Sequence, residues 1–292
     1  MGKFDGVLLC SDIDGTLLTK DGLPEENQKA IKYFQENGGR FTLATGRLFD
    51  FLDKYSDIMA PNAPFIAMNG TLIVDKTTDA VLFDCPLGTD PGKMVEETLR
   101  AIPCLTGAYV FPMGRSIIVN RTEDGIFEVA YPLNNAPILV DSIPPNDDRL
   151  TKYAKNADEL NEIFGYPETN IYKIVFRVEA ERSDEGKAAL VERYPDYSIF
   201  RSWSRGIEVQ SPLADKGKGA RKLAELLGDV RLLVCAGDYE NDISMIKEAD
   251  IGYAVANAHP SVKAVADRVT KRECLEGAIA EIIYDLDREI EG

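Results

Sequence analysis

Along the chain, short unbroken apolar runs alternate with stretches in which apolar side chains recur every three or four residues. The first pattern marks strands buried on both faces and the second marks helices with one apolar face, so the alternation predicts βαβ units feeding a parallel sheet. Residues 7–10 (Val-Leu-Leu-Cys) are the first such strand. A helix is predicted over 24–37, with Pro24 near its first turn, Ala30, Ile31 and Phe34 on one face and Gly38-Gly39 ending it. Strands follow at 41–44 and 65–68 with a helix over 48–58 between them, and then a hairpin pairing 71–74 with 80–83.

From residue 86 the rhythm changes to a helix (91–101), a hairpin (108–111 with 117–120), a helix (157–164), a strand (171–178), a helix (184–194) and a second hairpin (197–203 with 207–210). Hairpins mixed with helices predict an α+β module with an antiparallel sheet. Within it, Pro144-Pro145-Asn146-Asp147-Asp148 reads as an exposed loop. After Pro212 the first rhythm returns, with helices over 218–227, 243–249 and 276–289 and strands at 231–236 and 252–255. The expected architecture is α/β: a Rossmann-like parallel-sheet core made of 1–85 and 212–292, interrupted by an inserted α+β domain, 86–211.

Composition narrows the chemistry. Apolar residues at 45% and charged residues at 28% describe a folded chain, and the length of 292 residues suits two domains. A formal charge of −16 argues against nucleic acid or an anionic membrane surface as partner. No apolar run approaches the ~18 residues that a membrane span needs, and Met1-Gly2-Lys3-Phe4-Asp5 carries no signal-peptide pattern, so the cytoplasm is the expected location. The five cysteines are scattered without CxxC spacing, which predicts neither a disulfide framework nor a thiolate zinc site; Cys10 and Cys235 read as core residues. The single histidine, His259, reads as a helix-start residue and rules out a multi-histidine metal centre. Oligomeric state has no signature in the sequence.

Five segments remain as candidate chemistry, all beside predicted strand ends or helix starts, where open α/β sheets bind ligands. Asp12-Ile13-Asp14-Gly15-Thr16 follows the first strand; alternation sets Asp12 and Asp14 on one side, a pairing that suits a nucleophile and a proton donor. Thr45-Gly46-Arg47 follows the second strand, with a hydroxyl, a glycine amide and a guanidinium suited to phosphoryl oxygens. Asn69-Gly70 follows the third. Lys216-Gly217 opens a helix, and Gly237-Asp238-Tyr239-Glu240-Asn241-Asp242 follows a very apolar strand. Gathering Asp12, Asp14, Asp238 and Asp242 would cost about 4 kcal/mol per close pair at an effective dielectric of ~20, so such a cluster calls for a cation. Oxygen donors without histidine favour Mg²⁺ before Ca²⁺.

Four of these, the segments beginning at Asp12, Thr45, Lys216 and Gly237, resemble in this order the motifs of the haloacid dehalogenase (HAD) superfamily of phosphatases. The tail, Ala254-Val255-Ala256-Asn257-Ala258 and then Glu276-Gly277-Ala278, is similar to the Cof-type branch. The resemblance implies that the insert is a C2-type cap. It implies that Asp12 attacks phosphorus to form an aspartyl-phosphate, and that Asp14 protonates the leaving oxygen and then activates water, its carbonyl on Mg²⁺. It further implies Asp12 and Asp238 as metal ligands, with Asn241 and Asp242 orienting Lys216 or metal waters. Thr45, Gly46, Arg47, Asn69, Lys216 and Asn241 would bind the phosphorylated substrate. Tyr239, where a small residue is usual, and Asp215, where a small or hydroxyl residue is frequent, depart from the family pattern. The implied function is Mg²⁺-dependent hydrolysis of small phosphate monoesters, sugar phosphates first, with pyridoxal phosphate or flavin mononucleotide also in range. A phosphosugar mutase and a non-catalytic phosphometabolite-binding regulator are the alternatives.

Overall fold

The computed structural model describes residues 2–18, 22–47, 60–131 and 151–291. The predicted helix over 48–58 and the loop at 144–148 lie outside the described residues. Two compact units emerge: Met1–Asp84 with Ala214–Gly292, and Cys85–Leu213.

In the first unit, β1 (Val7–Ser11) is buried along its whole length, as its unbroken apolar sequence requires. Helix α1 (Glu25–Glu36) buries Asn27, Ala30, Ile31 and Phe34, positions that fall on one side of a 3.6-residue repeat. It leads to β2 (Arg40–Leu43), followed by β3 (Phe65–Ala67), β4 (Leu72–Asp75) and β5 (Ala80–Asp84). The last three form an antiparallel sheet of their own in the order β3-β4-β5. β3 therefore does not join the parallel sheet as a full strand, and touches it through one parallel bridge between Ala44 and Ile66.

The inserted unit runs α2 (Pro91–Ala101), β6 (Leu105–Pro112), β7 (Ile117–Arg121), β8 (Phe127–Ala130), β9 (Thr151–Ala154), α3 (Ala157–Phe164), β10 (Ile171–Val178), α4 (Ser183–Arg193), β11 (Ser198–Trp203) and β12 (Gly206–Gln210). Its antiparallel sheet has the order β11-β12-β10-β6-β7-β8-β9. Alternate side chains such as Ala108, Val110, Ile174 and Phe176 form a core with Leu99 of α2, Leu160 of α3 and Leu190 of α4.

The chain returns to the first unit through α5 (Lys216–Leu227), β13 (Leu232–Gly237), α6 (Ile243–Glu248), β14 (Ile251–Ala254), α7 (Pro260–Lys263), β15 (Arg268–Val269) and α8 (Ala278–Glu291). The parallel sheet has the order β15-β14-β13-β1-β2. Val7 and Leu9 of β1 pack with α1 and α8, whereas Leu8 and Cys10 pack with Ala220 and Leu223 of α5 and Met245 of α6. Helices thus cover both faces, the arrangement of a doubly wound α/β domain. No described helix is long and apolar enough to cross a membrane.

Candidate active site

The sheet order changes direction between β1 and β13, and the loops beyond the C-terminal ends of these two strands carry the chemistry. Asp12 stands one residue past β1; its N–H donates to the Ala236 carbonyl at 3.0 Å, which extends the β1–β13 pairing to the carboxylate itself. The residue is buried, with 6% of its surface exposed. Ile13 and Leu17 then turn into the core, and Gly15, at φ +86°, makes the turn that lets its N–H reach the Leu18 carbonyl at 3.0 Å. A Cβ at Gly15 would lie 2.6 Å from the Asp238 carboxylate, so the close approach of the two loops depends on the missing side chain.

Asp14 is exposed where Asp12 is buried, yet its charge still reaches the Asp12 and Asp238 carboxyls. Its carboxylate accepts two bonds from Arg47, from Nε at 2.7 Å and from Nη2 at 2.6 Å, a fork-on-carboxylate pair. Thr45 is buried, and its Oγ1 accepts from the Arg47 N–H at 3.1 Å, so the hydroxyl organises its own loop. The Thr45 N–H donates to Ile66 and the Thr45 carbonyl accepts from the Asn69 N–H, both at 2.8 Å. Met68, Asn69 and Gly70 are three successive left-handed residues at φ 49°, 55° and 86°. Such strain in non-glycine residues persists only where surrounding contacts over-determine it. Here Asn69 is fully buried and its Oδ1 accepts from Asn241 Nδ2 at 3.1 Å, joining the β3 loop to the β13 loop.

Lys216 is the first residue of α5, two residues earlier than the sequence pattern indicates, because Asp215 is the N-cap and accepts from the Lys218 N–H at 2.9 Å. Lys216 is fully buried, with Nζ 2.5 Å from Asp12 Oδ1 and 2.6 Å from Asp242 Oδ1. The other Asp242 oxygen accepts from the N–H groups of Asp238 (2.9 Å) and Tyr239 (3.0 Å), so this carboxylate fixes both the lysine and the loop. Asp238 Oδ1 accepts from Thr16 Oγ1 at 2.9 Å.

Burial pushes the Asp12 carboxyl well up; Lys216 pulls against that, while Asp242, Asp238 and Asp14 add to the rise. Burial, together with Asp242, pushes Asp238 up to about 7. Burial also works against the Lys216 charge, but Asp12 and Asp242 outweigh it and hold the ammonium above its ordinary value. Oxygens of Asp12, Asp238 and Asp242 lie within 4.8 Å of one another, three carboxylates around one ammonium. An all-oxygen set with surplus negative charge fits a hard divalent cation.

A family profile for haloacid dehalogenase-like hydrolases matches residues 9–283. The chain belongs to this family. The hydrolase is 26% identical over 279 residues to the pyridoxal phosphate phosphatase YbhA of Escherichia coli, covering 95% of this chain and 97% of that one. Among solved structures it resembles BT1666 of Bacteroides thetaiotaomicron, described among phosphatases of the HAD superfamily, with TM-score 0.71 and 22% identity over 98% of this chain and 96% of the other. It likewise resembles the HAD subclass IIB sugar phosphatase BT4131, with TM-score 0.68 and 20% identity over 97% and 98% of the two chains. Those two likenesses bear on the fold.

Of the residues singled out in the sequence of the hydrolase, Asp12, Lys216, Asp238 and Asp242 converge directly. Asp14 with Arg47, Thr45 with Gly46, and Asn69 with Asn241 form the surrounding loops, a Cβ at Gly46 being 3.1 Å from the Asn69 amide. His259 caps α7, its Nδ1 accepting from the Ser261 N–H at 3.3 Å, and its ring lies 6.0 Å from that of Tyr239. The Asp14–Arg47 and Asn69–Asn241 pairs have no signature in residue spacing. The five cysteines are free and buried.

Proposed function

We propose that the hydrolase is a Mg²⁺-dependent phosphatase of small phosphorylated metabolites, sugar phosphates foremost, working through an aspartyl-phosphate. The observation that carries this reading is the buried Asp12 carboxylate at the end of β1, held 2.5 Å from the Lys216 ammonium beside Asp238 and Asp242. Such an aspartate meets a phosphate ester with positive charge already placed at the point of attack. The name of one relative, a pyridoxal phosphate phosphatase, supports small phosphorylated metabolites as the substrate class.

In this mechanism a carboxylate oxygen of Asp12 attacks phosphorus as the bond from phosphorus to the leaving oxygen breaks. Asp14 gives its proton to that oxygen. Thr45 Oγ1 and the Gly46 amide hold the phosphoryl oxygens, and Lys216 neutralises them. Arg47 transfers its fork from Asp14 to the arriving phosphate, which frees Asp14 for proton transfer. Water then attacks the phosphorus of the aspartyl-phosphate, its proton passes to Asp14, and the bond to Asp12 breaks, restoring the carboxylate. Asp12, Asp238 and the Asp14 carbonyl would hold Mg²⁺, with Asn241 and Asp242 behind them. Bound there, the ion supplies the second positive charge that an anionic nucleophile needs beside a phosphate dianion.

Phosphate release from sugar phosphates, pyridoxal phosphate and p-nitrophenyl phosphate, with Mg²⁺ and with EDTA, tests this reading. Release that requires Mg²⁺ and disappears in Asp12→Asn is the expected result; release that persists in that variant would remove Asp12 from its role.

A further inference from the structure

Between β14 and α7, residues 255–259 form a loop that the mechanism above does not use, yet it touches both carboxylate-bearing loops. The His259 N–H donates to the Asp238 carbonyl at 2.8 Å, and the Val255 N–H donates to the Gly237 carbonyl at 3.3 Å. These are backbone bonds that any sequence could make. The contact with the other loop is different, because it rests on one side chain: Asn257 Nδ2 donates to the Gly15 carbonyl at 2.8 Å. Asn257 Oδ1 in turn accepts from the Cys274 N–H at 2.8 Å. Thr16 Oγ1, donating to Asp238, closes a triangle whose corners are the Gly15 turn, Asp238 and the 255–259 loop.

We propose that Asn257 is a positioning residue for Asp14. The inference rests on the reading of Asp14 as the acid that protonates the leaving oxygen. Asp14 is exposed and, among the described residues, its side chain is gripped by Arg47, a grip the mechanism releases. When that fork moves to the phosphate, the direction of Asp14 depends on the two peptides that flank Gly15. The Asp14–Gly15 peptide is held through the Gly15 N–H, which donates to the Leu18 carbonyl at 3.0 Å, and the Gly15–Thr16 peptide through its carbonyl, which accepts from the Asn257 amide at 2.8 Å. A short planar side chain with a donor and an acceptor on the same carbon meets both the Gly15 carbonyl and the Cys274 N–H. Aspartate offers only the acceptor, and alanine offers neither.

A role through Asp14 predicts a dependence on the leaving group. An alkoxide leaving from a sugar phosphate needs the proton, whereas p-nitrophenolate departs without it. The experiment measures kcat/KM, which reports the steps up to transfer onto Asp12, for a sugar phosphate and for p-nitrophenyl phosphate, using the full chain with Mg²⁺. Asn257→Ala and Asn257→Asp are compared with the unaltered protein, and melting temperatures are recorded alongside. Each variant is expected to lose roughly 10- to 100-fold on the sugar phosphate and less than about threefold on p-nitrophenyl phosphate. Asn257→Asp keeps the acceptor for Cys274 and so decides the matter if Asn257→Ala fails to fold. Equal losses on both substrates, a greater loss on p-nitrophenyl phosphate, or no loss would overturn the role of Asn257. An unaltered protein that hydrolyses neither ester would instead overturn the phosphatase reading itself.

Discussion

Lys216 is fully buried between two carboxylates, and what each partner does can be separated by substitution. Asp12→Asn leaves the ammonium paired with Asp242 at 2.6 Å and relieves a carboxyl that burial pushes up. Its melting temperature should therefore not fall, while phosphate release should drop by about ten-thousandfold or more, as expected when a nucleophile is removed. Lys216→Ala instead strands Asp12 and Asp242 with no cation between them. That should cost ~3–5 kcal/mol in a denaturant titration without Mg²⁺. The side chains of this cluster were legible in the sequence because each follows an apolar strand or opens a helix. The partner of Asp14 was not: alternation set it beside Asp12, but spacing does not announce the fork that Arg47 makes on its carboxylate.

At the scale of elements, α5 begins where its cap places it. Asp215 accepts from the Lys218 N–H and also lies 3.0 Å from Lys218 Nζ, so an acid that departs from the family pattern is explained by the helix it starts. Asp215→Ala should lower stability by about 1 kcal/mol in the same titration. Gly70 has a larger effect on the same helix. A Cβ there would stand 2.1 Å from the Asp215 carbonyl, at a φ of +86° that alanine resists. Gly70→Ala should destabilise by ~1–3 kcal/mol from the backbone conformation alone and should reduce activity by displacing Lys216, which a paired melting and turnover measurement would show. Most helices and strands were legible because their faces are cleanly apolar. β8 and β9 were not, being four residues each and stabilised by partners in a sheet rather than by local pattern. Nor was the separation of β3 from the parallel sheet, since an apolar run does not reveal the direction of its neighbour.

Across the whole molecule, excess acidity makes stability depend on pH and on the cation. Asp238 is pushed up to about 7, above its unfolded value, so the folded chain holds a proton that the unfolded chain releases. The stability this proton contributes is complete below ~4, near the unfolded carboxyl value, and is lost as pH rises through about 7. The raised carboxyl of Asp12 acts in the same sense. EDTA-treated protein should melt at progressively lower temperature as pH rises through this window, and Mg²⁺ should restore more at the upper end than at the lower. At about 100 times its dissociation constant the ion should contribute ~2.7 kcal/mol. An insert between two halves of one α/β unit was legible from the return of the βα rhythm after Pro212. The parallel register of β1 with β13 carries a consequence in time. Val7 pairs with Leu232, a separation of 225 residues, so at ~5–20 residues per second a ribosome takes roughly 10–45 s to deliver the partner of the strand that ends in Asp12. Through that interval β1 waits with an unpaired apolar edge, and the newborn chain depends on whatever shields that edge until the C-terminal segment emerges.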